Sequence, residues 1–290
     1  MSSQFFFLTT LRDLKNVNDQ GEAVEILNQT ISSVLNQSLK NIKILIVCNQ
    51  VPDLATKDER VLYHVVDTTL PINREECLRD KGIKLVLGLK FIQRENPRYV
   101  FIIDSDDWVH RDLAKHVMAE SYIDFWFVDR GYIVNKRQSL KTEVSGLCRY
   151  CGTSYVYDFN KLINLINIAE LPIDIDEAGV VEKVDPFVYC NLLGNHKSQF
   201  SFFDSNGHKL QPIPFPSVCW VVNTGENQSK KKMSDSGFPF SSKFIRDFGV
   251  KEYEKNDFRV FFCLRSLMES LVSRVSWVIR DSKKVIPEEY

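Results

Sequence analysis

Residues 99–108 constrain the fold of this chain most, because an apolar run passes directly into a cluster of carboxylates. Residues 99–103 are all apolar or aromatic, and Asp104, Asp106 and Asp107 follow within four positions. A short apolar run bounded by polar residues is typical of a buried central strand. Ligands of open α/β sheets bind outside the carboxyl ends of such strands. The sequence therefore predicts that the three carboxylates lie at a ligand-binding edge.

The carboxylate cluster allows two interpretations. Like charges repel one another, so the cluster favours a hard divalent cation with oxygen ligands, Mg²⁺ or Mn²⁺. Mg²⁺ usually fills its remaining positions with phosphate oxygens and water, which predicts a metal–diphosphate site. In the alternative, residues 104–107 form an acidic turn in which Asp107 caps a helix over residues 112–120. The order of the surrounding elements favours the metal.

Composition and charge place the chain in a broad class. It has 290 residues, 44% hydrophobic and 26% charged, which is typical of a soluble globular protein with one large domain, alone or with an appendage. A net charge of -1 gives no general attraction to nucleic acid. Seven scattered cysteines favour free thiols in a reducing compartment. With no signal-peptide pattern and no membrane-length apolar run, a cytoplasmic location is expected.

Apolar periodicity in the first part of the chain predicts a β-α-β-β-α-β series. Strands are expected at residues 4–10, 42–48, 62–66 and 99–103, with helices over residues 24–37 and 85–92. Alternating units of this kind favour a mostly parallel sheet with helices on both faces. The fold class is therefore α/β.

The second part of the chain gives weaker signals. We expect a hairpin over residues 125–134, a strand over 147–157, an irregular acidic segment over 170–184 and a helix over 185–193. Residues 198–203 and 209–212 are expected to flank a turn as strands, and residues 218–222 form the last strand. Residues 225–237, rich in Gly, Ser and Lys, predict a mobile loop that either closes over a diphosphate as a lid or stays a disordered surface segment.

The C-terminal tail has a long helical pattern over residues 257–280. Apolar residues recur there at spacings of three and four, with arginines between them. The favoured interpretation is a helix packed on the main domain. The alternative is a basic amphipathic helix on a membrane surface, which implies peripheral contact with the inner membrane face.

This order of elements resembles that of GT-A fold glycosyltransferases, in particular the inverting family-2-like group. The matching pieces are residues 27–53, residues 81–89 before the acidic strand, and Asp104-Ser105-Asp106 at the place of the D-x-D motif. The resemblance covers residues 4–118 well and 151–229 loosely. It implies a GT-A domain at 1–240, with a nucleotide-sugar-binding half at 1–118 and an acceptor-binding half at 119–240. Residues 241–290 lie outside it as a C-terminal helical extension.

The resemblance also implies donor and metal contacts. Asn49 stands where the family usually has an Asp, and it offers hydrogen bonds to a base without charge. The implied metal ligands are Asp104 and Asp106. The implied donor-binding residues are Thr9, Arg12, Asn49, Asp67, Lys81, Lys84, Asp104 and Ser105.

A general base is implied at a helix start after the D-x-D motif. Asp185 is preferred because Pro186 follows it at a helix start, although the same residues suit a purely structural N-cap. The other carboxylates in the region stay open, namely Asp174, Asp176, Glu177 and Glu182. A third metal ligand is also open, with His196 and Glu226 as candidates. Cys148 and Cys151 have no second pair at zinc spacing and are interpreted as ordinary thiols.

Together these features predict a metal-dependent inverting glycosyltransferase with Mn²⁺ or Mg²⁺. Its partners would be a nucleotide-diphosphate sugar donor and a glycan or small hydroxyl acceptor, in surface polysaccharide or glycan synthesis. The first alternative is a nucleotidyltransferase, although the exit of the first strand lacks the Gly-rich phosphate loop of that class. The second is a non-catalytic sugar- or nucleotide-binding module with a decayed GT-A domain, which the departure at Asn49 keeps open.

Overall fold

The computed structural model describes residues 4–53, 55–120, 122–136, 139–224 and 237–250. They form two β-sheets and seven α-helices, all within these ranges. The strands are β1 Phe5–Thr10, β2 Ile42–Cys48, β3 Val61–Val65, β4 Tyr99–Ile102, β5 Trp108–Val109, β6 Phe125–Phe127, β7 Arg130–Asn135, β8 Leu140–Ser145, β9 Tyr155–Asp158, β10 Leu210–Pro212, β11 Val218–Val222 and β12 Phe238–Pro239. The helices are α1 Gln20–Leu35, α2 Arg74–Gln93, α3 Leu113–Ala119, α4 Phe159–Leu165, α5 Glu177–Lys183, α6 Gln199–Ser205 and α7 Ser242–Phe248.

The central sheet confirms the predicted β-α-β-β-α-β series. Its strand order is β10-β6-β9-β4-β1-β2-β3. Strands β1 to β4 are mutually parallel, and β9 runs antiparallel between β4 and β6. The carboxyl ends of β1, β2, β3 and β4 therefore meet at one edge of the sheet. The sheet is mostly parallel, as the sequence predicts.

Strand β1 shows why the sheet is covered on both faces. Its side chains alternate, so Phe6 and Leu8 pack in a core with α2, while Phe5 and Phe7 pack in a second core with α1. All four are fully buried. Burial on both faces explains why the strand is a continuous apolar run instead of an alternating pattern.

A second, five-stranded sheet has the order β12-β8-β7-β11-β5. Helix α7 packs on it through Phe244 and Phe248, which share a core with Trp108 and Val221. The backbone N–H of Arg111 also donates to the carbonyl of Asp247 at 2.8 Å. Residues 241–250 therefore pack on the body that carries the acidic motif, and the division of the chain into domains stays a prediction.

The predicted hairpin over residues 125–134 is wrong. Strand β6 belongs to the central sheet, whereas β7 belongs to the second sheet and pairs with β8. The chain passes from the central sheet to the second sheet at Val128 and Asp129. The carbonyl of Val128 accepts the backbone N–H of Cys148, and the carbonyl of Asp129 accepts the backbone N–H of Leu147. Because these partners come from a later segment, the local turn signal could not reveal the change of sheet.

Three further segments differ from the sequence prediction. Residues 198–203, expected as a strand, lie mostly in α6, where Gln199 and Phe203 are buried one helical turn apart. The segment expected to be irregular contains α5. Residues 147–157 begin with the 3₁₀ turn Leu147–Arg149, and only Tyr155–Asp158 form a strand. The aromatic residues of segment 198–203 favour a strand, but the buried residues there are spaced as in a helix.

A close helix contact holds the second half of the chain against α2. The segment Val188–Leu192 is one π-helical turn, and it packs on α2 at Gly82. A Cβ atom at residue 82 would lie 1.6 Å from the carbonyl oxygen of Tyr189. Only glycine permits this approach, which places residues 185–194 beside the cleft-facing residue Lys81.

We expect Gly82→Ala to lower the free energy of unfolding by about 3 kcal/mol, the upper part of the usual overpacking range. The added methyl group meets backbone atoms, so the two segments must separate. Gly21→Ala is the matched control, because Gly21 is exposed in α1 and the nearest atom to its added Cβ is a side-chain oxygen at 3.3 Å. The control should be neutral or slightly stabilising. Equal denaturation midpoints for the two variants would contradict this packing.

Three predictions lie outside the described residues. These are the lid or mobile loop, except for Gly237, the candidate metal ligand Glu226, and the tail helix over residues 257–280. Among the described helices, none combines the length and the apolar character needed to span a bilayer.

Candidate functional site

A cleft opens at the carboxyl edge of the central sheet, where the strand order reverses. Strands β2 and β3 lie to one side of β1, and β4 lies to the other. Ligands of open α/β sheets bind at such a switch point. The polar side chains that line the cleft come from the exits of β1 and β4 and from α2, and they include Thr10, Arg12, Asp80, Lys81, Asp104, Ser105 and Asp106.

The acidic loop, residues 104–107, brings three carboxylates together. Each of Asp104, Asp106 and Asp107 offers an oxygen within 4.8 Å of the others. Asp104 and Asp106 are half-buried and line the cleft, whereas Asp107 is fully buried. The structure thus divides the predicted cluster into two cleft-facing carboxylates and one inward-facing carboxylate.

Asp107 fastens the acidic loop to β11 and to the segment that precedes β9. Its Oδ2 accepts hydrogen bonds from the Thr153 hydroxyl at 2.6 Å and the Cys151 thiol at 3.2 Å. Its Oδ1 accepts from the backbone N–H of Val221 in β11 at 3.0 Å. Burial raises the pKa of Asp107 well above its usual range, and the charges of Asp106 and Asp104 raise it further. Asp107 does not cap α3, which begins at Leu113 with Asp112 at the N-cap position.

Asp104 is held from three directions. Its backbone N–H donates to the Thr153 hydroxyl at 2.8 Å, and its Oδ1 forms an ion pair with Lys81. A Cβ atom at residue 152 would lie 2.6 Å from Oδ2, so Gly152 permits the carboxylate to rest against the backbone there. Burial lowers the pKa of Lys81, but the charges of Asp104, Asp106 and Asp107 outweigh it, and the pKa is raised.

The donor chemistry of the acidic loop fits a divalent cation. Asp104 and Asp106 supply carboxylate oxygens at a cleft with room for further oxygen ligands. Hard ions such as Mg²⁺ and Mn²⁺ prefer this set, and one or two protein carboxylates suffice for Mg²⁺. The fit supports a metal site, and the identity of the metal is not specified by these residues.

His196 comes close to the same charges. Burial lowers its pKa, the charge of Asp104 raises it, and the charge of Lys81 lowers it further. Its Nε2 atom is buried and has no hydrogen-bond partner among the described residues. His196 lies outside the group of atoms within 4.8 Å, so the structure brings it to the site without placing it among the carboxylate ligands.

Lys84 takes a different position from Lys81, although both lie on α2. Its ammonium group donates to Asp80 at 2.8 Å and to the carbonyl of Leu11 at 3.3 Å, and the side chain is 1% exposed. Asp80 also accepts the Thr68 hydroxyl at 2.7 Å, and that hydroxyl accepts from Asn49 at 3.0 Å. This buried network joins the exits of β1, β2 and β3 behind the cleft.

The remaining residues predicted to bind the sugar donor lie along the same edge of the sheet and differ in their burial. Thr9 is fully buried within β1, and its neighbour Thr10 lines the cleft instead. Arg12 and Ser105 line the cleft directly. Asp67 is exposed just beyond β3. Their contacts with a donor stay predictions.

The preferred base candidate, Asp185, shortly precedes the segment that packs on α2 at Gly82. Asp185 is exposed, and its Oδ1 accepts the backbone N–H of Phe187 at 2.8 Å. Glu177 is tied to Thr69 by two hydrogen bonds of 2.7 and 2.9 Å and to Arg79 at 3.1 Å. The three contacts give Glu177 a structural function. Among the described residues, Asp185 has the single side-chain hydrogen bond to Phe187 and is the more accessible of the two carboxylates.

Two residues that support the site were missed by sequence reasoning. Thr153 binds both Asp104 and Asp107, and Gly152 makes room for the Asp104 carboxylate. The only sequence signal was the glycine that interrupts the apolar segment 147–157. Cys151 is buried and donates to Asp107, consistent with an ordinary thiol, and Cys148 is also a free thiol.

Comparison with known proteins yields structural similarity only. No protein-family model matches the chain, and neither does any curated protein. S. aureus TarS 1-349 in complex with UDP-GlcNAc aligns with a TM-score of 0.43 at 12% identity, covering 80% of this chain and 62% of that chain. Mannose-1-phosphate geranyltransferase from Thermus thermophilus aligns with a TM-score of 0.42 at 10% identity, covering 74% of this chain and 75% of that chain. Francisella tularensis 2-C-methyl-D-erythritol 4-phosphate cytidylyltransferase aligns with a TM-score of 0.40 at 11% identity, covering 85% of this chain and 98% of that chain.

The fold and the position of the site define a class. The chain has a mostly parallel, Rossmann-like α/β fold with two carboxylates at the switch point of its central sheet. The alignment covers 60% and 62% of the two TarS chains, about three fifths of their length. The activity of this protein is therefore stated below as a proposal.

Proposed function

We propose that this protein is a metal-dependent inverting glycosyltransferase that uses a nucleotide-diphosphate sugar. The observation that carries the proposal is the pair of carboxylates, Asp104 and Asp106, beside Lys81 in the switch-point cleft. A diphosphate leaving group needs positive charge, and this cleft combines cation ligands with the basic side chains Arg12 and Lys81. A role in surface polysaccharide or glycan synthesis follows from the resemblance in sequence.

Each residue has a defined part in the proposed reaction. Asp104 and Asp106 hold the divalent cation, which supplies charge neutralisation to the leaving diphosphate when bound. Arg12 and Lys81 donate to phosphate oxygens. Asp185 accepts the proton of the acceptor hydroxyl as its oxygen bonds to the anomeric carbon, and the bond from that carbon to the diphosphate breaks. The attack from the opposite side inverts the anomeric configuration.

Nucleotide recognition is proposed at the exits of β2 and β3. Asn49 has a buried Oδ1 without a hydrogen-bond partner among the described residues, although its amide group donates to Thr68. Asp67, exposed at the same edge, is the candidate for a base or ribose contact. UDP-GlcNAc, the ligand bound to S. aureus TarS, is included among the donors to try.

A donor assay separates the proposed function from its two alternatives. Purified protein is incubated with UDP-GlcNAc and other nucleotide sugars, with Mn²⁺ or with EDTA. A glycosyltransferase should release the nucleoside diphosphate slowly by hydrolysis, only with metal. A nucleotidyltransferase should instead release pyrophosphate from a nucleoside triphosphate and a sugar phosphate. Binding without either reaction would support the non-catalytic module and contradict the proposal.

A further inference from the structure

Two lysines of α2 each form an ion pair with an aspartate, and the two pairs differ in their access to solvent. In the pair between Lys84 and Asp80, the two side chains are 1% and 9% exposed. In the pair between Lys81 and Asp104, they are 27% and 29% exposed, and both line the cleft. Lys84 of the first pair is sealed into the network behind the cleft, whereas the second pair can exchange its partners with molecules in the cleft.

The Lys81 ammonium is paired with one oxygen of the Asp104 carboxylate, a group that a cation in the cleft would also use. A Cβ atom at residue 152 would lie 2.6 Å from Asp104 Oδ2 and 3.2 Å from Oδ1, so the backbone at Gly152 lies closer to Oδ2. Oδ1 is the oxygen paired with Lys81. A divalent cation bound through Oδ1 would therefore meet the positive charge of Lys81 at the same atom. Two cations at one carboxylate repel each other, which weakens metal binding while Lys81 stays in place.

We infer that Lys81 competes with the divalent cation for Asp104 until a diphosphate draws its ammonium group away. Lys81 has a flexible four-carbon stem and three donors, and it lines the cleft with Arg12. Binding of a diphosphate gives Lys81 a new anionic partner and frees Asp104 for the metal. Metal and diphosphate then bind cooperatively, because each removes an obstacle to the other. This inference rests on the proposed function, since it takes the diphosphate as the ligand.

Lys81→Met tests the inference by two binding measurements that should change in opposite directions. Without diphosphate, Mn²⁺ titrated into the variant should bind about tenfold more tightly than to the wild type, as measured by calorimetry or by electron paramagnetic resonance. With EDTA and no metal, inorganic pyrophosphate should bind about tenfold more weakly. General damage to the site would weaken both, so opposite changes are specific to competition.

Two further variants serve as controls. Lys43→Met removes the same charge from a side chain that is also 27% exposed, but Lys43 pairs with Glu95 near the start of β2, away from the carboxyl edge. It should leave both affinities unchanged. Lys81→Arg keeps the charge and should keep Mn²⁺ affinity within about threefold of the wild type. If Lys81→Met does not fold, Lys81→Gln replaces it with a polar side chain of similar reach.

The outcomes distinguish this inference from the proposed function. Unchanged or weaker Mn²⁺ binding in Lys81→Met overturns the competition, even if the wild type turns over a nucleotide sugar. Tighter Mn²⁺ binding supports it, even if no nucleotide sugar is turned over. Absence of Mn²⁺ binding in both the wild type and Lys81→Met also overturns it.

Discussion

Replacing Asp106 by Asn is expected to abolish Mn²⁺ binding at the acidic loop and to reduce sugar transfer to background, while the protein stays folded. Asp106 lines the cleft and is half-buried, and its neighbour Asp107 carries the contacts that fasten the loop to β11 and to Thr153. An amide keeps the shape of the side chain but removes the charge. We expect Mn²⁺ affinity to fall by more than about 100-fold, at or beyond the effect of removing a residue that only supports a ligand.

The matched control for Asp106 is Asp112→Asn. Asp112 is also half-buried, lies in the same segment, and makes no capping hydrogen bond with its side chain. Calorimetry with Mn²⁺ and thermal unfolding should be run on both variants. Loss of Mn²⁺ binding only in Asp106→Asn, with similar unfolding midpoints, agrees with the assignment. Wild-type metal affinity in Asp106→Asn would show that the acidic loop is not the metal site.

Asp185→Asn is expected to lower the transfer rate by roughly 10²–10⁴, the usual contribution of a general base. Asn is a good N-cap and is nearly isosteric, so stability should change little. Donor affinity should stay near that of the wild type, because the base acts on the acceptor. The measurements are single-turnover transfer, nucleotide binding and thermal unfolding.

Asp176→Asn is the comparison for Asp185. Asp176 is exposed and caps α5 by accepting the backbone N–H of Gly179 at 2.8 Å, so the two variants make the same chemical change at similar helix starts. A folded Asp185→Asn variant that transfers at the wild-type rate would rule Asp185 out as base. A loss confined to Asp176→Asn would move the assignment to that residue. Unfolding of Asp185→Asn would instead support a purely structural helix start.

The arrangement of the first part of the chain was predictable because its signals are local. The β-α-β-β-α-β series follows from apolar runs such as residues 42–48 and 99–103, each bounded by polar residues. Parallel strands share their carboxyl edge, which predicts a ligand site at Asp104 and Asp106, and the family resemblance implies that Arg12 lies at the same site. The structure places all three there.

The second part was less predictable because its strands are short and pair with distant segments. Strand β6 has three residues and lies between β9 and β10, whereas β7, which starts three positions later, belongs to the other sheet. A turn signal at residues 129–131 is compatible with a hairpin and with a change of sheet. The choice depends on hydrogen bonds from residues 147 and 148, which no local pattern contains.

The sequence by itself determined the fold class, the edge of the sheet that carries the site, and the presence of carboxylates and lysines there. Tertiary structure alone decided which of them face the cleft. Asp107 turns inward because Thr153 and Val221, 46 and 114 positions away, donate to its carboxylate. Lys81 and Lys84 differ because most of α2 is buried, so helical periodicity does not separate an exposed face from a covered one. Apart from Asp80, which lies on α2 with Lys84, the partners that orient these charges come from other segments, and only folding brings them together.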